Sequence, residues 1–203
     1  MNRLIFAFAL AIVASGVWAA ADPNKVLRIA SPDIETLDPH QYNDRPSFDV
    51  LTAIFEGLYE WDYVASPTKL VPVEAAALPE ITDGGRTWTI RVKPGIHFTD
   101  DPAFRGKPRE VIADDWIYSF KRWLDPNLRR GGDPIVTDLV VGAREVIDAA
   151  RKNGAKLDYD RPIAGLRALD QYTIQLRLKE PNYPNIENFL TTRVVAREVV
   201  EAA

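Results

Sequence analysis

The sequence contains no cysteine, only two histidines and only one methionine among 203 residues. Without cysteine the chain cannot form a disulfide bond, so its stability has to come from a packed apolar core. The histidines, His40 and His97, have no paired spacing such as HExxH, so no metal site is predicted and both are interpreted as solvated. The formal net charge of −4 disfavours nucleic-acid binding through a general positive charge.

Common catalytic motifs are also missing. The sequence has no G-x-S-x-G nucleophile turn, no P-loop and no G-x-G-x-x-G turn. Acidic pairs such as Asp100-Asp101 and Asp114-Asp115 are present, but a turn or a helix N-terminus accounts for each of them. The residues therefore predict no catalytic site, and a secreted hydrolase of unknown type is kept only as an alternative.

One long uncharged apolar segment is present, and it lies at the N-terminus. Residues 4–17 follow Arg3 and precede a run of small residues, a pattern typical of a secretory signal and too short to span a bilayer comfortably. We expect residues 1–21 to be a cleaved signal peptide, with cleavage after Ala19 or Ala21. Because no cysteine is available for lipid attachment, the sequence predicts a protein that is free in the bacterial periplasm.

The spacing of apolar residues predicts both helices and strands. Helical spacing occurs in SFDVLTAIFEGL, VIADDWIYSFKRWLDP, GAREVIDAARKNG and REVVEAA, with Ser47 predicted to cap the first helix and Gly154 to end the third. Alternation predicts strands in KVLRIA, LYEWDY, TWTIRVK and QYTIQLRLK. The segment SPTKLVPVEAAALPE is predicted to be irregular. These interspersed elements indicate an α/β or α+β fold.

Five segments occur in an order that resembles a known family. They are ETLDP, FEGLYEWD, DGGRTWTIRVKPGIHFTDD, VIADDWIYSFKRWLDP and ALDQYTIQLRLKEPNYP. The pattern is similar to the extracytoplasmic solute-binding proteins of ABC importers, family 5, of the oligopeptide/dipeptide-binding type. One departure concerns a helix cap, because Ile112 stands where the family usually has threonine. Asp114 or Asp115 is therefore expected to serve the start of that helix.

The resemblance implies an α/β fold of the type II, two-lobe periplasmic binding protein class, present here as an incomplete N-terminal part. Residues 22–45 would begin the first lobe, 46–165 would form its accessory subdomain and 166–203 would return to it. The family's acidic anchor for a peptide amino terminus would lie beyond Ala203.

The implied function is capture of oligopeptides or dipeptides, or of a related small solute, and delivery to an ABC permease in the inner membrane. The protein would act as a monomer, without enzymatic activity, cofactor, metal or nucleic acid. The alternative is a nonfunctional truncated fragment of such a protein. The residues expected to face the ligand are Glu35, Thr36, Leu37, Tyr42, Phe55, Glu56 and Gly57.

Overall fold

The structure is a computed structural model that describes residues 25, 26, 28, 30–129, 134–152, 154 and 157–203. The chain divides into two compact units, residues 1–32 and 33–203. In the first unit, the predicted signal peptide and Leu27 and Ile29 of the predicted first strand lie outside the described residues. Val26, from the same predicted strand, is 74% exposed and is not part of a strand.

The second unit contains six helices and six strands among its described residues. The helices are α1 (Arg45–Ile54), α2 (Ala113–Leu124), α3 (Pro134–Leu139), α4 (Ala143–Lys152), α5 (Tyr183–Leu190) and α6 (Arg197–Ala202). The strands are β1 (Tyr59–Asp62), β2 (Lys69–Pro72), β3 (Glu80–Thr82), β4 (Thr87–Arg91), β5 (Leu166–Asp170) and β6 (Thr173–Arg177). Two short 3-10 turns, Asp83–Gly85 and Pro102–Phe104, complete the described elements.

The strands form two antiparallel sheets. β1 pairs with β2, and a four-stranded sheet has the order β3-β4-β6-β5. β4 lies inside the larger sheet, where Trp88 pairs with Leu176 and Ile90 with Ile174. All four side chains are buried, as the alternation of apolar residues predicts. The indole Nε1 of Trp88 donates a hydrogen bond to the carbonyl oxygen of Gly85 (2.9 Å), which satisfies its only polar atom in the core.

Helix α2 packs against this sheet through a broad apolar face. Trp116, Phe120 and Leu124 are fully buried, and the Phe120 ring stacks on a phenylalanine ring of α5 at 4.4 Å between centroids. The backbone N–H of Ile112 donates to Oδ2 of Asp115 (2.9 Å). The prediction that Asp114 or Asp115 serves the start of this helix is therefore confirmed for Asp115, which accepts the N–H of the N-cap residue Ile112.

The predicted cap of α1 is wrong. The helix begins at Arg45, and Asp44 is its N-cap, accepting a hydrogen bond from the N–H of Ser47 (2.7 Å). Pro46 occupies the first turn, where its fixed φ suits a helix and its missing N–H is not needed. The helix also ends at Ile54, so the later apolar residues of the predicted stripe lie outside it.

Several elements were not predicted. The segment expected to be irregular contains β2 and the start of β3, and α3, α5 and β5 have no counterpart among the predictions. Strands of three or four residues contain too few alternating positions to be distinguished from loops. β2 exists because its backbone pairs with β1.

Two residue ranges that the family resemblance assigns to different parts of the fold contribute strands to the same sheet. β3 and β4 belong to residues 46–165, whereas β5 and β6 belong to residues 166–203, and β4 pairs with β6 along five residues. The division into a first lobe and an accessory subdomain stays a prediction.

Candidate functional site

A groove of about 1030 Å³ lies in the described part of residues 33–203. Its walls come from the segments on both sides of α1, from the segment after β4, and from the chain around α6. Its apolar lining includes Ile54, Phe55, Ile96, Phe98, Phe104, Val194 and Val199. Its acidic lining consists of Asp38, Glu56, Glu60, Glu74, Asp100 and Asp101. The groove thus combines apolar walls with an excess of carboxylates.

Three of the residues predicted to face a ligand line this groove, namely Leu37, Phe55 and Glu56. Leu37 is half exposed, at 51%. Phe55 is the C-cap of α1: its N–H donates to the carbonyl of Leu51 (3.0 Å) while its own backbone is extended. This change of direction at the helix end places Phe55 and Glu56 on the groove.

The other four predicted residues lie elsewhere. Glu35 forms an ion pair with Arg129, and the N–H groups of Glu35 and Thr36 donate to the hydroxyl of Ser47 (2.9 and 3.3 Å). The Ser47 hydroxyl therefore connects α1 to the loop that precedes it, and the sequence pattern of a helix cap does not reveal this contact.

Tyr42 lines a second cavity, of about 910 Å³, and its ring contacts the ring of Phe48 at 5.7 Å between centroids. Gly57 lies where two backbone segments approach closely. Its carbonyl accepts the N–H of Glu74 (3.2 Å), and it forms an isolated bridge with Arg193. A Cβ at Gly57 would lie 3.1 Å from backbone oxygens, so the need for a small residue accounts for this glycine.

A buried ionic network holds the loop that carries the predicted site. Nη2 of Arg122 donates to Oδ2 of Asp38 (2.5 Å), and Nε of Arg122 donates to Nδ1 of His40 (3.2 Å). His40 is fully buried, so its interpretation as a solvated residue is wrong. Burial and the positive charge of Arg122 lower the pKa of His40 to about 3. The imidazole is therefore neutral and acts as an acceptor that fixes the loop to α2. His97 is exposed, as expected.

Of the six acidic residues that line the groove, only Glu56 was predicted to face a ligand, and Glu74 is the most buried of the others. Its exposed fraction is 5%, although it lies in the segment predicted to be irregular. Burial, and then the negative charge of Glu56, raise the pKa of Glu74 to about 7. The sequence feature that could have drawn attention to Glu74 is its position as the single charged residue in VPVEAAAL.

Among the described residues, no cluster of three or more histidine, aspartate or glutamate side chains is arranged to hold a metal ion. None of the helices described above has the length and apolar character needed to cross a membrane.

The fold of the chain is that of part of the peptide-binding proteins of the solute-binding class. The chain superposes on the pheromone receptor PrgZ with a TM-score of 0.64 at 21% identity, covering 85% of this chain and 31% of that one. It superposes equally well on the peptide-bound OppA of Listeria monocytogenes, with a TM-score of 0.64 at 22% identity, covering 85% and 31%. The fold is therefore an α/β part of the two-lobe architecture.

The chain belongs to the bacterial extracellular solute-binding proteins, family 5, whose middle-region model matches residues 69–200. The periplasmic oligopeptide-binding protein OppA of Escherichia coli is 28% identical over 165 residues, which are 79% of this chain and 26% of that protein. The glutathione-binding protein GsiB of Pectobacterium atrosepticum is 36% identical over 104 residues, which are 51% and 19%. The chain thus spans about a quarter of the length of the curated relatives that it matches.

Proposed function

We propose that this chain is part of the substrate-binding component of an ABC importer that captures peptides in the periplasm. The observation that carries the proposal is the family match over residues 69–200, together with relatives named as oligopeptide-binding and di/tripeptide-binding proteins. The finer points are also proposals: export by a cleaved signal peptide, a monomeric state, absence of enzymatic activity and delivery to an inner-membrane permease.

The groove supports this proposal through its chemistry. A peptide offers apolar side chains and charged ends, and the groove offers apolar walls beside carboxylates. Leu37, Phe55 and Glu56 are the predicted residues that can contact a ligand in the groove. For Glu35, Thr36, Tyr42 and Gly57, ligand contact remains a proposal that rests on the family resemblance. In a two-lobe protein the ligand selects the closed arrangement, and closure buries it.

The test measures the midpoint of thermal unfolding of two proteins. One comprises residues 22–203, and the other is the longest product that the gene yields. Each is measured with a mixed tripeptide library and with a mixture of sugars as the control. A ligand at a hundredfold excess over its Kd stabilises the folded state by about 2.7 kcal/mol. A rise in the midpoint with peptides alone supports peptide capture. A rise with sugars alone, or no rise with either mixture in both proteins, refutes it.

A further inference from the structure

One wall of the groove is a loop rather than a helix or a strand. Leu37, Asp38, Pro39 and Gln41 line the groove, and all four lie in the segment that precedes α1. We call residues 35–42 the groove loop. A segment without regular backbone pairing is ordered only when other groups satisfy and hold it. The position of this wall therefore depends on side-chain contacts.

The carboxylate of Asp38 is the centre of these contacts. Its Oδ1 accepts the backbone N–H of His40 (2.9 Å), and its Oδ2 accepts from Nε2 of Gln41 (2.9 Å) and from Nη2 of Arg122 (2.5 Å). Burial raises the pKa of Asp38, but the hydrogen bonds and the charge of Arg122 lower it below its ordinary value. The ionised carboxylate thus connects two residues of the loop to helix α2.

Arg122 fixes the groove loop to the core. Its side chain is only 5% exposed, and besides the bond to Asp38 its Nε donates to Nδ1 of the fully buried His40 (3.2 Å). The planar guanidinium therefore holds the loop at two points in a fixed geometry. At the other end of the loop, the hydroxyl of Ser47 on α1 accepts two backbone N–H groups. The loop is held from both helices.

We propose that the Asp38–Arg122 pair positions the groove loop for ligand binding, so that loss of the pair weakens the binding of every ligand by a similar factor. The inference rests on the proposed function, since it concerns how the groove receives a peptide. Leu37 is the half-exposed residue of the groove between the fixed points. A wall that is already ordered loses less conformational entropy on binding. If the ordered loop is only partly populated, the apparent Kd rises by the reciprocal of that fraction.

The test compares the parent with two variants, each made in the longest product of the gene. Asp38→Asn keeps the shape of the side chain and removes the charge that pairs with Arg122. Asp125→Asn is the matched control, because Asp125 is also buried, at the end of α2, but does not line the groove. It accepts the N–H of Asn127 (2.9 Å) and the hydroxyl of Tyr159 (2.6 Å), so its substitution costs similar hydrogen bonds.

Calorimetry measures the Kd of Ala-Ala-Ala, Ala-Phe-Ala and Lys-Phe-Ala for each protein. Loss of a charged hydrogen bond should raise the Kd in Asp38→Asn by about tenfold to a hundredfold. The factor should be the same for all three peptides, whereas a direct contact between Asp38 and a ligand would make it depend on the charge of the peptide. Asp125→Asn should keep the affinities of the parent, although urea unfolding should show a loss of stability in both variants.

A milder change provides a second variant that does not depend on the tolerance of the buried pair. Thr36→Val removes the hydroxyl that accepts the N–H of Asp38 (3.0 Å), and it should raise the Kd of all three peptides by a smaller common factor. Unchanged affinity in Asp38→Asn and Thr36→Val, an equal loss in Asp125→Asn, or a loss confined to Lys-Phe-Ala overturns the inference but leaves peptide capture intact. Failure of all three peptides to bind the parent overturns both.

Discussion

Substituting Glu74 by glutamine tests the energetic cost of its buried carboxyl group. Burial raises the pKa of Glu74 from 4.5 to about 7 in the folded chain. Between these values the folded state binds more protons than the unfolded state, so stability falls as the pH rises through this window. Below pH 4.5 the group is protonated in both states, and the penalty disappears.

The size of the effect follows from the pKa change. One pKa unit corresponds to 1.36 kcal/mol, so a rise from 4.5 to about 7 lowers the free energy of unfolding by about 3 kcal/mol at pH 8. Glutamine has the shape of protonated Glu74 and does not ionise. Relative to the parent chain, Glu74→Gln should therefore gain about 3 kcal/mol between pH 4.5 and pH 8. Any cost of burying the amide is the same at both pH values and cancels.

The assay is urea unfolding followed by tryptophan fluorescence at pH 4.5 and pH 8, with the buried Trp88 and Trp116 as reporters. Glu187→Gln is the control, and its difference from the parent should be the same at both pH values. A difference between Glu74→Gln and the parent that does not change with pH would refute the reasoning. It would mean that Glu74 ionises in the folded chain as easily as in the unfolded one.

Three other substitutions test the core and the helix start. His40→Asn keeps an acceptor and removes the buried imidazole. Because the pKa of His40 is lowered to about 3, His40 alone should lower the free energy of unfolding by about 3 kcal/mol as the pH falls from 6.5 to 4. Glu74 acts in the opposite direction but equally in the parent and the variant, so the difference between the two proteins, measured by urea unfolding at pH 7 and pH 4, should change by about 3 kcal/mol. Trp88→Ala should lower the free energy of unfolding by about 3–5 kcal/mol, whereas Tyr63→Ala, at an 80% exposed position, should change it by less than about 0.5 kcal/mol; denaturant titration measures both. Asp115→Ala removes the acceptor of the Ile112 N–H and the ion-pair partner of Arg109, so thermal unfolding should show a loss of about 2 kcal/mol. Asp114→Ala, at an exposed position, is the control and should show a smaller loss.

Elements with enough periodic residues could be predicted from the sequence. The alternation around Trp88 and Ile174 predicts β4 and β6, and the apolar stripe through Trp116 predicts α2. In the strands the buried residues follow the alternation, whereas α2 is buried almost all round, including Lys121 and Arg122, so its apolar stripe indicates the helix but not the full extent of its burial. β2 and β3 have three or four residues each, which is too few alternating positions for periodicity to distinguish them from loops.

The candidate site depends even more on contacts between distant segments. Ser47 has the sequence context of a helix cap, yet its hydroxyl accepts hydrogen bonds from residues 11 and 12 positions earlier. His40 follows a proline in a loop, yet the guanidinium of Arg122, 82 positions later, accounts for its burial. A short motif contains no information about such partners, so both roles could be assigned only from the structure.

Glu74 is an intermediate case. In VPVEAAAL a single charged residue stands among small and apolar ones, a pattern that fits either an exposed or a buried carboxylate. The structure shows that both Glu74 and the adjacent Ala75 are buried. Because a buried carboxylate oxygen without a donor lowers stability, ionised Glu74 should destabilise the folded chain, and the glutamine substitution measures how much.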